Sequence, residues 1–93
     1  MEVKANQTIE LEPIVYEGDL IIAGAKNSIS GTTLDNNRYT VIAGNLEIRG
    51  ANNTVSNLTV LGDVTLRGNK NELHNVDYQG EVFLEGGPQN NIF

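Results

Sequence analysis

Apolar residues along this chain come in pairs two positions apart, and the pairs recur. Leu46 and Ile48, Leu58 and Val60, and Val64 and Leu66 each enclose one intervening residue. Such alternation predicts strands, because successive strand side chains point to opposite faces. Aligned on its glycines, the second half reads GNLEIRGANNTVSNLTVL from Gly44, GDVTLRGNKNELHNVDYQ from Gly62 and GEVFLEGGPQNNIF from Gly80, an 18-residue period. Leu46, Val64 and Val82 form one column, and Ile48, Leu66 and Leu84 a second. Val55 with Leu73, Leu58 with Val76, and Val60 with Tyr78 form three more. Asn53 stands over Asn71, and Asn57 over Asn75.

The first half follows the same template less evenly. In GDLIIAGAKNSISGTTL, residues Leu20, Ile22, Gly24, Asn27 and Ile29 take the places of Leu46, Ile48, Gly50, Asn53 and Val55. The step from Gly18 to Gly44 exceeds one period by about eight positions, and the polar stretch at 35–38 is the expected location of this insertion. Counting back from Gly18 puts Leu11, Ile14 and Tyr16 in the columns of Val55, Leu58 and Val60. Glycine and asparagine every few residues, with β-branched residues in the apolar columns, disfavour helix. One coil cannot bury its own apolar side, whereas a stack can, so the repeat predicts a solenoid. The expectation is a single all-β domain over residues 1–93 in about five coils, with an irregular first coil and an insertion near 35–39. Its core should hold Leu20, Ile22, Ile29, Leu46, Ile48, Val55, Leu58, Val60, Val64, Leu66, Leu73, Val76, Val82 and Leu84.

A coil of this length also suits a left-handed β-helix of hexapeptides, but that pattern needs an apolar residue at every sixth position. The inward columns here step unevenly through 46, 48, 55, 58, 60 and 64, which favours a right-handed parallel β-helix. The segment GNLEIRGANNTVSNLTVLGDVTL resembles the coils of right-handed β-helix proteins, the group that contains pectate lyases and phage tailspikes. The short coil is similar in length to that of bactofilins. The resemblance implies parallel strands that each pair with their own copy one coil away.

Composition fits this architecture and removes several functions. Asparagine supplies 13 and glycine 10 of the 93 residues, a supply of residues suited to coil corners. Stacked Asn53 and Asn71, and Asn57 and Asn75, are placed for amide ladders. With 6 Lys and Arg against 12 Asp and Glu the net charge is −6, which argues against nucleic acid and against anionic membrane surfaces as partners. No apolar run is long enough to insert into a membrane as a helix. Cysteine is absent, so disulfides, thiolate zinc sites and cysteine nucleophiles are excluded.

Little in the chain points to catalysis or to a cofactor. His74 is the one histidine, without a second histidine or cysteine to share a zinc ion, and it is expected on the outside opposite Ser56. A serine triad would have to draw on His74 with Asp77 or Glu72, and no serine lies near them in sequence. Pectate lyases carry acidic calcium ligands on an outer face, so the column Asp19, Asn45, Asp63, Glu81 invites comparison. Asp63 and Glu81, one coil apart, would repel or share a hard cation. The neighbouring column of Arg49, Arg67 and Glu85 reads instead as a solvated charge network. Asn6, Asn52 and Asn57 begin N-x-T signals, which an asparagine-rich chain produces by chance.

The coil ends hold the functional expectation. A parallel solenoid ends in unpaired strand edges over an open core, which favours association unless the end is covered. Val82, Leu84, Ile92 and Phe93 are the candidate self-association residues at the C-terminal end. The expected function is thus a non-catalytic structural or assembly module forming a homo-oligomer or larger assembly. The alternative is a carbohydrate-binding β-helix module, with a glycan held at the 35–39 loop and by Tyr39.

Overall fold

The computed structural model describes residues 1–34 and 38–85, and these contain strands and turns but no helix. Twelve strands follow one another: β1 (Glu2–Val3), β2 (Thr8–Glu10), β3 (Val15–Tyr16), β4 (Leu20–Ile22), β5 (Ser28–Ser30), β6 (Thr33–Leu34), β7 (Arg38–Ile42), β8 (Leu46–Ile48), β9 (Thr54–Val60), β10 (Val64–Leu66), β11 (Glu72–Tyr78) and β12 (Val82–Leu84). Nearly all pair in parallel with the copy one coil away. Val64 lies between Leu46 and Val82, and Leu66 between Ile48 and Leu84, so the 18-residue period of the sequence is the register of the sheet. One sheet stacks β1, β4, β8, β10 and β12 in that order, and the second gathers β2, β5, β9, β11, β7 and β3. The chain is a parallel β-solenoid of about four turns, with β12 opening the next, rather than the five coils expected from the self-similarity of the sequence.

The second sheet bends where a single residue enters the left-handed region. Asn57 inside β9 has φ 58° and its copy Asn75 inside β11 has φ 55°. Asparagine tolerates this conformation, and its amide can bond locally, so the bend stays within a continuous strand. Glycine is needed at other corners because the coils stack directly. A Cβ on Gly68 would collide with the carbonyl oxygen of Gly50 one coil below, and one on Gly62 with Oδ1 of Asn45.

The inward columns form the core, in which Leu20, Ile22, Leu46, Ile48, Val55, Val60, Val64 and Leu66 are fully enclosed. Burying a side chain of this size contributes about 1.5–3 kcal/mol each. Val3, Leu11 and Ile42 are also buried, beyond the expected set. Three expected members fall short. Val76 and Val82 are only partly buried and Leu84 is exposed, because no further strand stacks on β11 or β12 among the described residues.

The first coil also corrects the alignment. Ile9, not Leu11, occupies the Val55 column, through the pairing Ile9 to Ile29 to Val55. Tyr16 does lie in the Val60 column through Ile42. Between those points this coil has two more residues than a regular one. Leu11 uses the slack to turn into the core, while Ile14 is left exposed.

Candidate functional site

Two lines of Asx side chains run up the corners and tie each coil to the next. In the first, Gln7 N–H donates to Asn27 Oδ1 at 2.8 Å, Asn27 N–H to Asn53 Oδ1 at 2.9 Å, and Asn53 N–H to Asn71 Oδ1 at 3.1 Å. Asn53 Nδ2 donates to Asn71 Oδ1 and to Gly24 O, both at 3.1 Å. These asparagines are buried, and the bonds from Asn27 N–H and Asn53 N–H satisfy backbone donors that water does not reach. The Asn57–Asn75 amide bond of 2.9 Å forms as expected, on the surface.

The second line is the acidic column. Asn45 N–H donates to Asp19 Oδ1 at 2.7 Å, Asp63 N–H to Asn45 Oδ1 at 2.7 Å, and Glu81 N–H to Asp63 Oδ1 at 2.9 Å. Asp63 thus meets Glu81 through the Glu81 backbone amide, which occupies one of its carboxylate oxygens. Among the described residues no group of three or more His, Asp or Glu is arranged to hold a metal ion.

Between this column and the arginines lies a shallow cleft of about 190 Å³ on the outer face of the first sheet, bordered by Ile21, Glu47, Asp63, Thr65 and Arg67. Glu47 receives Arg49 at 3.2 Å and Arg67 at 2.8 Å, and Arg67 also reaches Glu85 at 3.1 Å. This is the solvated charge network expected of that column. Its hydrogen bond and charge from Glu47 raise the pKa of the exposed Arg49 above the ordinary value. Exposed pairs of this kind contribute little to stability.

His74 is exposed, pairs in register with Ser56, and bonds Glu72 at 2.9 Å. Tyr39 is exposed at the start of β7, next to the insertion. That insertion has the expected length of about eight residues, but it starts at the corner after Ser30 rather than at 35. Ser30 pairs with Ser56 and Thr40 with Leu58, so the chain between Gly31 and Thr40 replaces what is a single corner residue, Asn57, in the next coil. Thr33 and Leu34 pair antiparallel with Tyr39 and Arg38, making a small hairpin at the corner. Its base is fixed by Thr40, whose Oγ1 accepts from Thr32 N–H at 2.8 Å and donates to Glu12 O at 2.8 Å. Thr40 faces inward in the Leu58 column, a buried polar residue that the apolar pattern did not mark.

Of the candidate association residues, Val82 is half-buried in β12 and Leu84 is 51% exposed, although Leu66 directly beneath it is fully enclosed. Ile92 and Phe93 lie outside the described residues. The first rung also presents apolar atoms, with Met1 and Ile14 exposed. Sequence reading overlooked one further feature, an apolar outward column: Val15 pairs with Val41 on the outer side of the second sheet. Each stands three residues before an aligned glycine, Gly18 or Gly44, so the repeat puts them in one column with Thr59, but a search for inward residues passed over a column that faces outward. Comparison with protein-family models, curated proteins and solved structures finds no match to this chain.

Proposed function

We propose that this protein is a non-catalytic structural or assembly module that self-associates through the C-terminal end of its solenoid. The observation that carries this reading is Leu84. It continues the column of Ile22, Ile48 and Leu66, yet about half of it faces solvent beside the edge of β12 that has no partner strand among the described residues. Covering that end with a second copy removes apolar surface from water and gives the unpaired strand groups partners. We take the solenoid to wind right-handed, as parallel crossovers nearly always do.

The side chains otherwise favoured for chemistry are engaged in structure. Asp19 and Asp63 hold corner amides, Glu47 holds two arginines, and His74 bonds Glu72. Sedimentation over a concentration series tests the proposal. The wild type should exceed 10.1 kDa as concentration rises, and Leu84→Asp should shift it toward that mass. A wild type that remains at the single-chain mass at every concentration overturns the reading.

A further inference from the structure

The longest departures from the regular repeat fall on one corner, and the surface beside it differs from that of the two regular coils. The first coil carries its two extra residues there, around Pro13, and the second carries the hairpin. Exposed apolar side chains lie there on the outside of the second sheet: Val15 at 53%, Tyr39 at 44% and Leu61 at 42% exposed. Val41 lies among them, paired with Val15 and two residues from Tyr39. In the two regular coils the same outward column holds Thr59 and Asp77, and Gln79 takes the place of Leu61 one period on. Val15, Val41 and Tyr39 belong to the irregular half, and Leu61 of the next coil borders them.

We infer that this face is a second contact surface and that its occupant is another copy of the same chain. The inference rests on the self-association proposed above and adds a lateral contact to the one at the coil end. The central patch is uncharged on a chain of net charge −6, so it needs an apolar partner surface rather than a countercharge. A two-fold axis parallel to the solenoid axis supplies one, because it lays Val15 and Val41 on their own copies and brings Tyr39 over Ala43. The same axis brings Asp77 toward its own copy at the far end of the column. Half-exposed side chains of this number offer a few hundred Å² per copy, below the roughly 800 Å² per partner of a stable complex. The contact is consequently weak, and the like charges at its margin make it strengthen with added salt. An ion-pair contact would weaken instead. With both surfaces intact, association continues beyond a dimer, whereas either surface alone closes it at two.

The test replaces the patch by the residues that the regular coils carry. Sedimentation of Val15→Thr/Val41→Thr/Leu61→Gln, and separately of Tyr39→Ser, is compared with wild type and with Leu84→Asp at low and high salt. Circular dichroism confirms that each variant retains its β-structure. The lateral contact predicts that Leu84→Asp still dimerises, more strongly in high salt. It also predicts that the triple variant weakens this residual association at least about tenfold when combined with Leu84→Asp. If the triple variant and Tyr39→Ser both associate as wild type does, or if Leu84→Asp alone abolishes all association, the lateral contact is wrong and the end contact stands. If wild type never exceeds one chain's mass, both fail.

Discussion

Residues 1–45 and residues 46–81 make the same solenoid by different means. The later half keeps the 18-residue repeat, bends at Asn57 and Asn75, and shows water a polar outer column. The earlier half builds the same inward columns from coils of unequal length, closes its corners with Leu11, Pro13 and a hairpin, and shows water Val15, Val41 and Tyr39. Stacking fixes a residue only where it faces the coil above and below. At the Asn57 corner residues are added without moving a core column, since Ser30 and Thr40 on either side keep their partners Ser56 and Leu58, and lengthening a loop costs little closure entropy. The regular half thus keeps to the architecture while the irregular half acquires a surface.

The sharpest test of this equivalence is in the core. Leu66→Ala and Ile22→Ala occupy one column in the two halves, and both are fully enclosed. Each should cost about 2–5 kcal/mol in chemical denaturation. A loss at Ile22 under half of that at Leu66 would mean that the irregular half is only loosely joined to the stack.

Asn53 sits at the seam, accepting from Asn27 of the earlier half and donating to Asn71 of the later one. Asn53→Ala strands the buried Asn27 N–H and Gly24 O and should cost about 2–3 kcal/mol. The exposed rung is a gentler case. Asn75→Ala loses one surface amide bond and places alanine in the left-handed region, so about 1–2 kcal/mol is expected. Equal losses at the two positions would show that burial does not set the worth of a ladder.

Removing residues 32–39 with Gly31→Asn gives the second coil the regular length and corner. If the hairpin is an addition to the surface, the shortened protein should fold with stability within about 1 kcal/mol of wild type. A protein that no longer folds would show that Thr40 and its bonds to the first coil are part of the scaffold. At the bottom of the scale, His74→Ala should change stability by about 0.5 kcal/mol or less, since the ring is exposed and bonds only Glu72 among the contacts seen.

The repeat made the fold class, the parallel pairing and most of the core legible from residues alone, because a fixed period is a register. Leu46, Val64 and Val82 must stack if Gly44, Gly62 and Gly80 do, and the strands pair that way. The same logic identified the two asparagine ladders. It failed where the period breaks. With two extra residues in the first coil, counting could not tell whether Ile9 or Leu11 faces Val55, and only the hydrogen-bonded pairing of β2 with β5 decides it. The candidate site was legible in part: Leu84 and Tyr39 were marked, whereas the apolar face around Val15 and Val41 was not, since the search followed the inward columns and these two, although each stands three residues before an aligned glycine, face outward. Burial at the ends was also beyond the pattern. Leu66 and Leu84 are the same residue type in the same column, and what separates them is whether another coil lies on top. Sequence sets which way a side chain points along a strand, but only the stacked chain determines what covers it.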